Sequence, residues 1–209
     1  MARQIEVEQS PLVAQHAPLI SMAMPYVAHP AVRNRGTIGG SIAFADPAAE
    51  LPACIVTLQA NLIAQGSKGE RKIPAIEFFN GLYETALTSD EVLIAIELPV
   101  ATGRQKFSFK ELARRHGDYA IIGVCASTEW SGTSLSDVRL VYFNAGDRPV
   151  VATKAGAALE GVLSTEILES ALGHLAEDID PPSDLNAGPS MRLHLAKVLT
   201  KRIFQEWMS

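Results

Sequence analysis

Apolar residues recur at helical spacing through residues 11–28, and this pattern predicts a helix. The inward face of that helix would hold Leu12, Leu19, Ile20 and Met24. Pro25 is expected to end or kink the helix, because proline lacks the backbone N–H that a helix interior requires. Residues 30–40 contain one proline and three glycines, which predicts a segment rich in turns.

The rest of the first hundred residues reads as one helix and several short strands. Residues 48–60 have the pattern of a helix that begins or breaks at Pro52. Residues 60–65 and the apolar run after the polar sequence GSKGE are typical of a β-hairpin. Residues 91–98 predict a further strand, which Pro99 would end.

A second block follows the linker-like sequence VATGRQ. The segments KFSFKEL, YAIIGVCASTEW and VRLVYFNAG predict a small antiparallel sheet, with a turn at SGTS between the second and third. The pattern then becomes helical in TKAGAALEGV, STEILESALGHLAEDI and SMRLHLAKVLTKRIFQEW. Ser164 or Thr165 is expected to cap the middle helix. We therefore predict an α+β fold in two lobes, residues 1–100 and residues 105–209, the second with a small antiparallel sheet and a helical bundle.

The composition narrows the class of protein. Hydrophobic residues make up 47% of the 209 residues and the net charge is −5, which favours a packed domain and argues against a nucleic-acid partner. No apolar run reaches the length of a membrane span, and the sequence MARQIEVEQS lacks the apolar region of a signal peptide, so we expect a cytoplasmic protein. Cys54 and Cys125 lie in apolar sequence and are expected to be buried and not disulfide-bonded, without a ligand set for zinc or an iron–sulfur cluster.

The candidate chemistry lies in residues 29–52, where two consecutive glycines stand between hydroxyl residues. Glycine permits positive φ and has no Cβ, so that backbone N–H groups can approach an anion closely. A diphosphate would suit such a site, and an ordinary surface turn is the alternative. The candidate anion-binding residues are Thr37, Ile38, Gly39, Gly40 and Ser41.

Two acidic residues follow the glycine pair. A carboxylate beside a phosphate would be repulsive unless it faces hydroxyl groups, so Asp46 and Glu50 suit a ribose or ribityl chain. Asp46 could instead cap a helix that begins at Pro47, and Glu50 could be a solvated acid in the first turn of that helix. Both interpretations remain open at this point.

Four separated motifs resemble one protein family in the same order. They are ARQIEVE near the start, RNRGTIGGSIAFADPAAELP, the pattern FF-x-G-x-x-x-TAL-x-x-x-E at residues 78–91, and K-x-x-ARR-x-GDYA. In this order the chain is similar, over nearly its whole length, to the medium, flavoprotein subunit of molybdenum hydroxylases of the carbon monoxide dehydrogenase and xanthine dehydrogenase type.

The resemblance implies an FAD site and names further residues. It implies that the TIGGS segment holds the diphosphate of FAD, that Glu50 contacts FAD, and that Tyr119 covers one face of the isoalloxazine ring. Val27, Leu93 and Lys110 match further positions that contact the cofactor. No residue is predicted to act as a catalytic nucleophile or general base, and no metal ligand is predicted, because the cofactor supplies the chemistry.

The resemblance also implies partners. Residues 1–100 would be the middle FAD-binding lobe, and residues 105–209 the flavoprotein C-terminal domain. The family's first glycine-rich loop, of the type AGGxS, precedes the position of Met1, so we expect the N-terminal FAD lobe to be missing and FAD binding by this chain alone to be weak. The molybdenum cofactor would lie in a large partner subunit and the iron–sulfur clusters in a small one. The chain is thus expected to be an electron-transfer subunit; the alternative is a non-catalytic remnant or assembly module that does not bind FAD by itself.

Overall fold

The computed structural model describes residues 1–132 and 134–208, so Thr133 of the predicted SGTS turn and Ser209 of the second lobe lie outside the described residues. The first hundred residues form short helices, a three-stranded sheet and a small two-stranded ladder. The helices are α1 (Gln4–Glu8), α2 (Pro11–His16), α3 (Pro18–Ala23), α4 (Pro30–Arg33), α5 (Ile38–Phe44), α6 (Glu50–Thr57) and α7 (Ala75–Phe78). The strands are β1 (Asn61–Gly66), β2 (Gly69–Pro74), β3 (Phe79–Gly81), β4 (Glu84–Thr85) and β5 (Val92–Glu97).

The single helix predicted for residues 11–28 is instead two short helices followed by a 3₁₀ turn. The Ser10 side chain caps α2, and Pro18 then interrupts the helix because it cannot donate a backbone hydrogen bond. The break turns α2 away from the predicted face, so that Leu12 is 67% exposed while the other three predicted face residues are buried. Pro25 lies inside the 3₁₀ turn that follows α3, as a helix-ending residue should.

The segment predicted to be rich in turns is largely helical. Gly39 and Gly40 lie in the first turn of α5, and neither has a positive φ. The expectation of a glycine turn with left-handed backbone is therefore wrong. Thr37 is the reason, because its side chain caps the helix and offsets the low helix propensity of two glycines. Ala45, with φ of 54°, ends α5 in the left-handed conformation common after helices.

Helix α6 begins at Glu50, and Pro52 lies in its first turn, where the missing N–H costs nothing. Asp46 is not the cap of this helix, since the N-cap residue is Ala49. Every residue of α6 is buried, which explains its continuous apolar sequence.

The predicted hairpin and the following strand form one antiparallel sheet in the order β2-β1-β5. The register pairs Leu62 with Ile73 on one side and with Ile96 on the other. Gly69 closes the hairpin with φ of 107°, a conformation that glycine adopts without strain. Strand β5 lies at the edge of this sheet.

The second half of the chain confirms the predicted antiparallel sheet and helices. The strands are β6 (Gln105–Ala113), β7 (Ala120–Ser131), β8 (Ser134–Phe143), β9 (Val150–Val151) and β10 (Gly161–Val162). The helices are α8 (Thr153–Ala158), α9 (Thr165–Asp178) and α10 (Pro189–Met208). The strand order is β10-β8-β7-β6, with β9 paired to β8, and Ser164 caps α9 as predicted.

The sheet formed by β6, β7 and β8 separates two hydrophobic cores. One face packs against α3 and α6, and there the Sγ atoms of the buried Cys54 and Cys125 are 3.5 Å apart. The other face packs against α8, α9 and α10. Strand β7 is buried on both faces for that reason. Tyr119 of the candidate site directly precedes this strand. Within residues 1–132 and 134–208, no helix combines the length and apolar character needed to cross a membrane.

Candidate functional site

A cleft of about 400 Å³ opens between the first turn of α5 and the edge strand β5. Its lining is mainly apolar and includes Thr37, Gly39 and Gly40. The cleft brings Leu93 of β5 next to Ile38, Gly39 and Gly40, residues that lie more than fifty positions away in sequence.

The first turn of α5 presents open backbone to this cleft. The Thr37 Oγ1 atom accepts the Gly40 N–H at 3.0 Å, and the Thr37 carbonyl accepts the Ser41 N–H at 3.1 Å. The Gly39 N–H has no hydrogen-bond partner among the described residues, and a Cβ built on Gly39 would meet no atom within 4 Å. A ligand can therefore approach the backbone of Gly39 without displacing any protein atom.

The far end of α5 carries an exposed aromatic group. Phe44 follows the two glycines by four to five helical residues, so this end lies about 6 to 8 Å from them along the helix axis. Phe44 and Tyr83 are 59% and 55% exposed, and their ring centroids are 5.0 Å apart. Tyr119, 67% exposed, stands near Tyr83 in the segment before β7. No other phenylalanine, tyrosine or tryptophan of the described part of the chain is exposed, so the exposed aromatic rings converge at one place.

Tyr119 is tied to this place through Asp46. Burial, and then the negative charge of Asp46 and its hydrogen bonding with the phenol, raise the pKa of Tyr119. Asp46 itself is buried, and its Oδ1 atom accepts the Ala48 N–H at 2.9 Å. The phenol hydroxyl thus lies near Asp46 while most of the side chain faces solvent, which leaves the ring accessible for stacking.

Two further carboxyl groups lie behind the aromatic group. Burial raises the pKa of Glu50 to about 7, and Asp46 adds to the effect. Burial also raises the pKa of Glu111 to about 8, with Glu50 as the second cause. The Glu111 Oε2 atom is buried and has no hydrogen-bond partner among the described residues. Protonated carboxyl groups can donate as well as accept hydrogen bonds, which suits contacts to hydroxyls or to ring nitrogens.

The remaining predicted site residues do not all converge. Val27 is buried, and its carbonyl oxygen accepts a hydrogen bond from Arg33 at 2.9 Å. Lys110 lies on the face of β6 that packs towards α10, where its ammonium pairs with Glu206 at 2.6 Å. The structure therefore places the Lys110 side chain on the face of the sheet opposite to that of Glu111.

Sequence reasoning missed Glu111, Phe44 and Tyr83. Glu111 was detectable, because it continues the alternation of Phe107 and Phe109 and so shares the inward face of β6. The contact between Phe44 and Tyr83 had no sequence signal, since it depends on how α5 packs beside the β3–β4 ladder. Among residues 1–132 and 134–208, no group of His, Cys, Asp and Glu side chains is placed to hold a metal ion.

Comparisons with known proteins agree with this architecture. Residues 1–101 match the family described as the FAD binding domain in molybdopterin dehydrogenase, and residues 107–207 match the CO dehydrogenase flavoprotein C-terminal domain. The glyceraldehyde dehydrogenase medium chain of Sulfolobus acidocaldarius is 31% identical over 207 residues, which cover 99% of this chain and 73% of that protein. These matches do not favour the alternative of an assembly module without an FAD site.

Solved structures have the same fold. Carbon monoxide dehydrogenase from Hydrogenophaga pseudoflava, in a form lacking the Mo-pyranopterin moiety, superposes with a TM-score of 0.93 at 32% identity, covering 97% of this chain and 71% of that one. Quinoline 2-oxidoreductase from Pseudomonas putida 86 superposes with a TM-score of 0.92 at 34% identity, covering 99% and 72%. The chain therefore belongs to the FAD-binding medium subunits of molybdenum hydroxylases of the carbon monoxide dehydrogenase and xanthine dehydrogenase type.

Proposed function

We propose that this subunit passes electrons from iron–sulfur clusters in a small partner subunit to FAD, and from FAD to an external acceptor. Substrate oxidation would take place at a molybdenum cofactor in a large partner subunit. Residues 1–100 would form the middle FAD-binding lobe and residues 105–209 the flavoprotein C-terminal domain.

The observation that carries the proposal is the geometry of α5. Its first turn offers open backbone at Gly39, and its far end lies beside the exposed ring of Tyr119. The separation of about 6 to 8 Å along the helix axis is comparable with the ribityl chain that joins a diphosphate to an isoalloxazine ring. One short helix can therefore serve both ends of the flavin half of FAD.

Several of the predicted residues take a role in this arrangement. The diphosphate would approach the first turn of α5 at Gly39, whose N–H is the one in that turn without an acceptor in the described part of the protein; the Ile38 N–H already donates to the Ala2 carbonyl at 3.1 Å. Glu50 would face ribityl hydroxyls, and its raised pKa allows it to donate or accept a hydrogen bond there. Leu93 would supply an apolar wall of the cleft. The residues proposed to contact the cofactor in this arrangement are Thr37, Ile38, Gly39, Gly40, Ser41, Asp46, Glu50, Leu93 and Tyr119. Val27 and Lys110 are proposed on the resemblance alone, since the Lys110 ammonium pairs with Glu206 on the opposite face of the sheet.

The protein's own contribution is to bind, orient and insulate the cofactor. Bound FAD supplies the capacity to accept electrons singly or in pairs. Tyr119 would orient the isoalloxazine by stacking, which is worth about 1 kcal/mol beyond the buried area. The apolar walls of the cleft would exclude water from the diphosphate end.

The substitution Gly39→Ala tests the diphosphate site. The added methyl group meets no protein atom and lies in a helix, so the fold should be unaffected or slightly more stable. It would, however, occupy the space through which the ligand reaches the backbone, and we expect the flavin content of the protein purified from its native host to fall at least tenfold. Gly173→Ala in α9 is the matched control, because its methyl group also meets nothing and lies far from the cleft. Equal flavin content in the Gly39 variant and the control would refute this site.

Isolation from the native source tests the proposed partners. We expect the chain to copurify with a large and a small subunit, and the complex to contain molybdenum, iron and flavin. Recovery of the chain alone, without metal, would argue against the electron-transfer role.

A further inference from the structure

Asn144 connects the segment that contains Asp46 with the segment that contains Tyr119. It directly follows β8 and has φ of 54°, a left-handed conformation that asparagine tolerates better than most residues. Its backbone N–H donates to the Pro47 carbonyl at 2.7 Å, and its side-chain amide donates to the Ala120 carbonyl at 2.7 Å. One residue thus binds the neighbour of Asp46 and the neighbour of Tyr119.

A buried arginine fixes Asn144 in turn. The guanidinium of Arg192, which has no exposed surface, donates to the Asn144 carbonyl at 3.1 Å and also to the Ile121 carbonyl. Its charge is balanced by Asp184 at 2.6 Å. A buried charge with these partners is costly to move, so Asn144 and the start of β7 form a rigid unit.

Tyr119 stands at the edge of this unit with its ring largely in solvent. An exposed tyrosine ring normally samples several rotamers, because nothing packs against its faces. Here the backbone next to Tyr119 is fixed at Ala120 and the hydroxyl is near Asp46, whose own neighbour Pro47 is fixed by the same Asn144.

We propose that Asn144 is a positioning residue for the flavin-facing tyrosine. Its two donated hydrogen bonds hold the Pro47 carbonyl and the Ala120 carbonyl at a set separation, and this separation places the Tyr119 hydroxyl at Asp46. Asparagine meets both needs of the position, since it tolerates the left-handed backbone and carries a side-chain donor. The orientation of Tyr119 stands on these contacts alone; its consequence for flavin rests on the proposed function.

The first test measures Tyr119 without flavin. The chain has only four tyrosines, so 3-fluorotyrosine labelling gives a ¹⁹F NMR spectrum in which Tyr119→Phe identifies one resonance. Asn144→Gly keeps the left-handed backbone and its N–H but removes the bond to Ala120. We expect the Tyr119 resonance to narrow and its pKa to fall towards that of free 3-fluorotyrosine, while the other three tyrosines stay unchanged.

Two further variants make this test decisive. Asp137→Gly is the matched control, because Asp137 also has a positive φ, of 49°, but lies exposed in β8 away from the site. Asn144→Asp keeps the size and backbone tolerance but places a carboxylate, which cannot donate, opposite the Ala120 carbonyl, and it should release Tyr119 as the glycine does. An unchanged Tyr119 resonance and pKa in both Asn144 variants would overturn the proposal.

The second test adds flavin and separates this inference from the proposed function. Titration of flavin-depleted protein with FAD should show an affinity about fivefold lower for Asn144→Gly than for the unsubstituted protein, because one hydrogen bond contributes about that factor to an affinity. If Tyr119 is released and the affinity is unchanged, the positioning role stands and the proposed contact of Tyr119 with flavin fails. If the affinity falls while Tyr119 stays ordered, the positioning role fails.

Discussion

Replacement of Glu111 by glutamine should make the protein more stable at alkaline pH and leave its stability at acidic pH nearly unchanged. The Glu111 side chain lies on the inward face of β6, with one oxygen buried and without a partner, and burial and Glu50 raise its pKa to about 8. Because the folded state binds this proton more tightly than the unfolded chain, the group's stabilising contribution is fully present below about pH 4.5. It is lost as the pH rises to about 8.

The magnitude follows from the difference between the two pKa values. A rise from 4.5 to about 8 corresponds to about 5 kcal/mol, at about 1.4 kcal/mol for each tenfold change in proton affinity. Solvent reaches part of the Glu111 side chain and screens its charge, so we expect about 2 kcal/mol. Glutamine mimics the protonated carboxyl at every pH and should remove this part of the pH dependence.

Urea denaturation monitored by tryptophan fluorescence at several pH values between 4 and 9 measures the free energy of unfolding. The stability of Glu111→Gln and of the unsubstituted protein should agree near pH 4 and separate by about 2 kcal/mol at pH 9. Glu70→Gln, on an exposed position of β2, is the control and should follow the unsubstituted protein throughout. Parallel curves for Glu111→Gln and the unsubstituted protein would refute the buried, proton-holding state of Glu111.

Further substitutions test the packing that supports the site. Gly123→Ala would place a methyl group 1.9 Å from the Phe143 ring, and we expect a loss of about 3 kcal/mol in the free energy of unfolding; an unchanged melting temperature would contradict that packing. Tyr142→Phe removes a buried hydrogen bond between β8 and Thr200 of α10 and should lower the free energy of unfolding by about 1 to 2 kcal/mol, measured by urea denaturation. An unchanged free energy of unfolding would show that this bond is absent. Ser164→Ala should cost about 1 kcal/mol by the same measurement, because it removes the cap of α9; full stability would show that the cap does not contribute.

The sequence predicted the elements whose determinants are local. The strands β6, β7 and β8 and the two long helices were correct because their apolar periodicity and caps lie within a few residues. The prediction of one helix across residues 11–28 is wrong because apolar periodicity does not account for Pro18, which interrupts the helix. A glycine pair favours a turn by local propensity, and here the cap from the Thr37 side chain makes it the first turn of a helix.

The site was predictable only in part, because it joins distant segments. The motifs include both ends of α5, but side chains alternate along a strand and only its packing decides which of the two faces points inward. Lys110 and Glu111 are neighbours in sequence and lie on opposite faces of β6, so the ion pair of Lys110 with Glu206 and the approach of Glu111 to Glu50 both depend on tertiary packing. The link from Asn144 to Pro47 and Ala120 likewise joins three segments that no local pattern relates.

The most direct test is hydrogen–deuterium exchange of the protein in flavin-loaded and flavin-depleted form. If one FAD site includes both ends of α5 and the tyrosine before β7, flavin should slow exchange in residues 37–41 and in residues 117–120 together, while the β1–β2 hairpin stays unchanged. Protection that appears in only one of these segments, or in neither, would contradict a single site built on α5 and Tyr119.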